Sequence, residues 1–340
     1  MLLGLGVGVA LAGVVALAGP AQQAEAASPE KIVFVSTRTT GKGVSNPTGD
    51  PEIFTMSPKG TGVRQLTFNQ ADDIYPILSP DGQKIAYEST GSQPSNPEGD
   101  REVYLVNADG SGNKNLTDNR AILKDLAPEF SPDGQRIAYV SEGEQVGNPQ
   151  ADSEIYAMNL DGSGQTNLTN NGDLLHEGSP AFSPDGQKIA YTSGGQQDSN
   201  PEGDQEVYVM NASDGSGQTN LTYNGNLVAD VEPSFSPDGQ KIAYTSDGPQ
   251  DSNPVGGDEV YVMNSDGSNQ KNLTNNGWDT GDSAPAFSPD GQRVLYETNV
   301  TSSSNPDGDL EVYAMSASDG TGKKNLTNNG AYDAYPEWGR

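Results

Sequence analysis

Apolar positions in this chain fall in short runs of two kinds, and both kinds recur. In the stretch that begins at Pro180, Pro180-Ala181-Phe182-Ser183 reads as a short strand and Pro184-Asp185-Gly186 as a turn. There Pro presets φ, Asp bonds back to the backbone and Gly accepts positive φ. Gln187 to Ser193 carries Ile-Ala-Tyr-Thr and predicts a second strand, followed by a long polar loop from Gly194 to Gln205. Glu206-Val207-Tyr208-Val209-Met210 predicts a third strand. Asp214-Gly215-Ser216-Gly217 is a hairpin turn, and Gln218 to Thr222 a fourth strand. The third strand is apolar at consecutive positions, which implies cover on both faces.

This unit repeats. The serine of Phe-Ser-Pro-Asp-Gly-Gln-Lys-Ile-Ala-Tyr and its variants falls at Ser79, Ser131, Ser183, Ser236 and Ser288, a period of 52 or 53 residues. Such a period means that the fold is built from the unit. Second strands start at Lys31, Lys84, Arg136, Lys188, Lys241 and Arg293, and third strands at Glu52, Glu102, Glu154, Glu206, Glu259 and Glu311. Four-stranded antiparallel sheets covered on both faces are propeller blades. At the C-terminus Pro336-Glu337-Trp338 aligns with Pro128-Glu129-Phe130, a first strand with no second after it. At the other end Ser28-Pro29-Glu30-Lys31 enters directly at a second strand. The two ends are therefore expected to pair and close the ring, which removes exposed edges. The expected fold is all-β, a single six-bladed β-propeller over 27–340. Its blades span about 28–75 plus 334–340, 76–127, 128–179, 180–232, 233–284 and 285–333.

Ser183 to Tyr191 (Ser-Pro-Asp-Gly-Gln-Lys-Ile-Ala-Tyr) and Glu206 to Gly217 (Glu-Val-Tyr-Val-Met-Asn-x-x-Asp-Gly-Ser-Gly) resemble the repeats of TolB-type propellers. The resemblance covers essentially all of the chain after its first segment. It implies a secreted or periplasmic propeller that serves as a protein-interaction platform.

Composition narrows the partners. The formal charge of −29 excludes a phosphate-binding surface of clustered Lys and Arg, so nucleic acid is not expected. Basic surfaces and cations are the natural counterparts of such a field. There is no cysteine, hence no disulfide, thiolate chemistry or lipidated cysteine. Met1 to Gly19 is apolar and small, and Ala24-Glu25-Ala26 supplies an Ala-x-Ala pattern, so 1–26 reads as a signal peptide of an exported protein. No Lys or Arg precedes the apolar run, and a retained membrane anchor is the alternative. No later stretch is long and apolar enough to span a bilayer, and a monomer is expected.

In an up-and-down blade, the tight Pro-Asp-Gly and Asp-Gly-Ser-Gly turns share one face of the disc. The long loops share the other, which marks that face as functional. Two acidic sets belong there. Asp73, Asp125, Glu177, Asp230, Asp282 and Asp333 each lie three residues before a first-strand proline. They would ring the channel mouth and recruit a cation, or else cap backbone N–H groups between neighbouring blades. In the long loops, Asp198, Asn200, Glu202, Asp204 and Glu206 place oxygens at alternate positions around Gly203, as Ca²⁺ loops do. The alternative is an Asn-Pro turn with a solvated rim.

Among single residues, Trp278 and Tyr332, with Tyr75 and Tyr335 near in repeat position, are candidates for stacking on a partner. His176, the only histidine, lies beside Glu177, where a general acid or base role competes with a bland one. Asn-Leu-Thr at Asn115, Asn167, Asn220, Asn272 and Asn325 has the form of a glycosylation sequon, but its fixed place in the repeat points to structure. The leading expectation is a non-enzymatic scaffold for a basic or extended protein or peptide, with Ca²⁺ as the one cofactor considered. The runner-up is a Ca²⁺-dependent hydrolase or lactonase on the same fold, needing a cation-activated water. The propeller half of a serine peptidase is not expected.

Overall fold

The apolar runs of the repeats form strands in the computed structural model, which describes residues 30–91, 95–118, 123–144, 148–170, 175–223, 228–248, 256–276 and 281–339. The expected signal peptide lies outside the described residues. These contain twenty-four strands and no helix. In the copy around Ser183 the strands run His176–Phe182, Lys188–Gly194, Glu206–Asn211 and Thr219–Asn220, each antiparallel to the next. Tyr191 stands opposite Tyr208 across the central pair, with ring centroids 5.9 Å apart. Each copy repeats this pair, as Phe34 and Phe54 in the N-terminal one. Cross-strand aromatic pairs of this kind add to the stability of a sheet.

The recurring turns explain the fingerprint. Ser183 Oγ donates to Asp185 Oδ1 (2.6 Å) and accepts from Lys188 N (2.9 Å), and Gln187 N donates to Asp185 Oδ1 (3.0 Å). Gly186 takes the left-handed φ of 68° that this turn requires. In the other tight turn a glycine packs on the neighbouring copy. A Cβ on Gly215 would lie 1.7 Å from Leu168 O, and one on Gly60 would lie 2.3 Å from Leu326 O. Gly60 belongs to the N-terminal copy and Leu326 to the C-terminal one, so the same contact carries around the whole circle.

The strands lie in five sheets: four of four strands and one of eight. Six separate blades were expected. The difference lies at one point, where Ser153 and His176 form a parallel pair that links two four-stranded units. Elsewhere neighbouring sheets touch at the same place through a backbone bond, as Asp125 N to Arg101 O (2.9 Å) or Asp230 N to Gln205 O (2.7 Å), and at one junction also through an isolated parallel bridge of Asp258 with Gly281. Closure is as expected. The last strand, Asp333–Trp338, pairs antiparallel with the first, Ile32–Ser36, placing Trp338 opposite Ile32. The fold is an all-β propeller.

Its core lies between sheets. Ile32, Phe34, Phe54 and Met56 pack with Leu295, Val312 and Leu326 across the chain ends, around a Trp338 that is 1% exposed. Burying each such side chain is worth about 1.5–3 kcal/mol, so closure is held by apolar packing as well as by the ladder.

Two elements differ from the sequence reading. First strands begin about four residues earlier than Pro180 suggested, because each carries a bulge just before its proline. Fourth strands contain only two residues. Beyond them a side chain continues the pairing: Val207 N donates to Thr222 Oγ1 (2.9 Å) instead of to a carbonyl.

Candidate ligand site in the central channel

The first strands of all six copies face one another around the axis and line a cavity of about 140 Å³. The residue before each proline holds positive φ: Tyr75 (50°), Ala127 (46°), Ser179 (46°), Glu232 (56°), Ala284 (52°) and Tyr335 (48°). Both the left-handed region and its place before proline disfavour this geometry, so the surrounding ladder imposes it. The ladder shifts register at each of these points, and the six side chains come to lie along the wall. The backbone trick is common to all copies, and the side chain is not.

The amides at these bulges are met differently from copy to copy. Glu297 Oε2 accepts from Tyr335 N (2.7 Å), Glu88 Oε2 from Ala127 N (3.4 Å) and Thr192 Oγ1 from Glu232 N (3.3 Å). Glu232 Oε2 itself accepts from Ala284 N (2.9 Å) and from Thr245 Oγ1 (3.0 Å). Val35 and Val140 occupy the same second-strand position in the remaining copies and have no acceptor to offer.

One side of the wall is aromatic. The rings of Tyr75 and Tyr335 lie 4.0 Å apart, and hydroxyl contacts join Tyr75 to Tyr335 and Tyr335 to Tyr332. Tyr332 is 39% exposed at the rim. Acids lie on and behind the wall: Glu232 lines the cavity, whereas Glu88 and Glu297 do not. Burial first, and Glu232 next to it, raises the Glu297 carboxyl to about 7. Burial also raises Glu232, which keeps part of its surface open to the channel although protein surrounds it. Glu88, likewise raised to about 7 by burial, has Arg101 at 2.8 Å. Among the described residues no Lys, Arg or His forms an ion pair with Glu232 or Glu297.

The acids singled out in the sequence sit elsewhere. Asp73, Asp125, Glu177, Asp230, Asp282 and Asp333 are buried, 0–4% exposed, and none lines the cavity. Each turns to the end of its own second strand, as where Ser89 Oγ donates to Asp73 Oδ1 (2.6 Å) and Ser193 Oγ to Glu177 Oε1 (3.3 Å). Asp333 is held by Arg38 at 2.9 Å. Beside them lie the third-strand glutamates of the preceding copy, whose Oε2 accepts from the Thr of Asn-Leu-Thr, as in Glu102–Thr117 and Glu206–Thr222. The expected ring of carboxylates at the mouth is therefore a set of junctions between neighbouring copies, because local hydroxyls capture each carboxyl before it reaches the axis.

The loop acids do not converge either. Asn200 Nδ2 donates to Asp204 O (2.7 Å) and its Oδ1 accepts from Gly203 N (3.0 Å), an Asx turn repeated at Asn46, Asn96 and Asn305. Asp204 Oδ2 accepts from Val228 N (3.1 Å), Glu206 belongs to a junction, Glu202 is half-buried and Asp198 is exposed. Among the described residues no group of three or more acidic or histidine side chains is placed to hold a metal ion. His176 is exposed at the head of its strand, and Trp278 lies outside the described residues.

The comparisons agree with this architecture. The model of the TolB beta propeller domain matches residues 174–281. A TolB homolog protein of Chlorobium chlorochromatii is 32% identical over 166 residues, covering 36% of this chain and 37% of that protein. The crystal structure of TolB from Acinetobacter baumannii superimposes with a TM-score of 0.67 at 23% identity, over 91% of this chain and 66% of that one. The chain is a β-propeller similar to TolB. An uncharacterized peptidase, YuxL of Bacillus subtilis, is 26% identical over 229 residues, 57% of this chain and 32% of the peptidase. The TolB-like chain thus spans about a third of the length of these two curated relatives. Among the described residues, no helix is long and apolar enough to cross a membrane.

Sequence reasoning missed Glu88, Glu232 and Glu297. The signal was present: Ile-Ala-Tyr is followed by Glu88, Val140, Thr192 or Thr245 in different copies, and the residue before each proline varies as freely.

Proposed function

We propose that this TolB-like propeller is an exported, non-enzymatic scaffold that binds a protein or peptide segment at the channel mouth on the long-loop face. In this reading the eight-stranded sheet is two blades of a six-bladed ring, joined by the single Ser153–His176 pair, and 1–26 is removed on export. The observation that carries it is the contrast between copies. Junctions and turns repeat from one copy to the next, while the six wall residues that precede the prolines are Tyr, Ala, Ser, Glu, Ala and Tyr. A wall that only held the ring together would be free to repeat like the rest. Variation at one radius of a repeat protein is what recognition of an asymmetric ligand requires.

A second hollow of about 430 Å³ on the tight-turn face, between Ser236 and Ser318, is lined largely by residues of the repeated turns, and nothing sets it apart. Calcium is not needed in this reading, since backbone amides use Asn200 Oδ1 and Asp204 Oδ2 and leave only Asp204 Oδ1 without a partner among these. Calorimetry of metal-stripped protein should accordingly show no calcium heat and no melting shift. The scaffold reading is tested by capture from envelope extract at low salt. One partner should be retained and then released by salt, because a field of −29 favours a basic surface. Turnover of a lactone or phosphoester panel with added calcium, without a captured partner, would overturn it in favour of a hydrolase.

A further inference from the structure

We infer that the channel holds one organic cation, a lysine ammonium or arginine guanidinium, between the Tyr75–Tyr335 ring pair and the carboxylate of Glu232. This rests on the binding reading above and specifies what the partner inserts.

Four observations meet at this spot. The cavity of about 140 Å³ is close to an engineered cavity of about 150 Å³ that admits benzene, so the head group of either side chain fits. Both hydrogen bonds accepted by Glu232 fall on Oε2, from Ala284 N at 2.9 Å and Thr245 Oγ1 at 3.0 Å, and among the described residues Oε1 accepts none. Glu232 lies near enough to Glu297 to oppose its ionisation, and no described cation pairs with either. Tyr75 and Tyr335, their ring centroids 4.0 Å apart, line the same cavity, and aromatic rings attract a cation most strongly where water is scarce.

The donor set selects the kind of cation. Calcium takes six to eight oxygens, whereas the described residues hold no cluster of three acids fit for a metal. One carboxylate edge with aromatic walls suits a weakly hydrated ammonium or guanidinium instead. Such a group also supplies the countercharge that Glu232 and Glu297 lack.

Titrate the full chain, by calorimetry or NMR, with capped Gly-Gly-X-Gly-Gly peptides in which X is Lys, Arg or Gln, and separately with n-butylammonium. The Lys and Arg peptides should bind at least tenfold more tightly than the Gln peptide. Glu232→Gln should weaken the Lys peptide at least tenfold without lowering the melting temperature. Ala284→Lys, which places a cation in the channel from within, should abolish binding in a folded protein. Equal binding of the Gln peptide, or an unaffected Glu232→Gln, overturns the inference. If n-butylammonium binds as well as the Lys peptide, a partner's side chain is overturned as the source and a free amine replaces it. If the Lys peptide fails to bind while an envelope partner is still captured, the cation site falls and the scaffold reading stands. Failure of both removes the scaffold reading too.

Discussion

The junctions between copies and the wall of the channel lie only a few residues apart, yet they follow opposite rules. At a junction every part recurs: a third-strand Glu, the Thr of the fourth strand, the first-strand acid of the next copy and the hydroxyl that receives it. Val103 N donates to Thr117 Oγ1, Val207 N to Thr222 Oγ1 and Val260 N to Thr274 Oγ1, each at 2.9 Å. On the wall the backbone and the proline recur, while the left-handed residue before each proline varies. Residues bound by six local networks cannot change singly without leaving a buried polar group unmet. Residues facing the channel cavity can. The difference teaches where a repeat protein has room for specificity.

Substitutions should separate the two regions, and the largest effect belongs to closure. Removing 334–340 takes away the strand paired with Ile32–Ser36 and the Trp338 packed between the chain ends. We expect loss of cooperative melting by circular dichroism, since the ring would regain two open edges. Next comes a single junction. Thr117→Val leaves Val103 N and Glu102 without their hydroxyl and should cost about 1–3 kcal/mol, seen as a melting temperature lower by several degrees.

A pH series sharpens the comparison further. Burial raises Glu102 and Asp230 to about 8 and Asp125 to about 7. A carboxyl raised in the folded state stabilises the fold below its unfolded value, near 4, and that contribution is lost as pH rises through the folded value. The exposed turn acids, such as Asp185 and Asp238, are lowered by hydrogen bonds from Ser183 and Ser236, so their contribution is lost in acid. Stability should therefore peak near pH 4–5 and decline toward pH 8–9, against the usual expectation for carboxylates. Asp125→Asn should flatten that decline. A melting temperature that climbs steadily from pH 5 to 8.5 would contradict the junction chemistry. The smallest effect belongs to the wall: Ala127→Ser should shift stability by less than about 0.5 kcal/mol.

Much of this fold was legible in the residues. Ser-Pro-Asp-Gly and Asp-Gly-Ser-Gly fix their turns by local chemistry, and the Ile-Ala-Tyr and Val-Tyr-Val runs place the central strands to within a residue. The start of the first strand was not legible, because a proline at its centre and a residue such as Ser179 at positive φ read as a strand that has yet to begin. The candidate site was less legible still. The first-strand acids drew attention through charge and regularity, and regularity was the mark of scaffold. Glu232 and Glu297 looked ordinary because their importance lies in how they differ from the residues at the same place in other copies. Tyr75 and Tyr335 share a repeat position in the sequence, and the structure adds that their rings meet and that Tyr332 joins Tyr335.

The central claim is that junctions carry the fold and the wall carries recognition. It is tested most directly by partner capture with Glu232→Gln, scored beside its melting temperature. The account predicts a melting temperature no lower than before and a lost partner. A variant that melts several degrees lower and still retains its partner would contradict it.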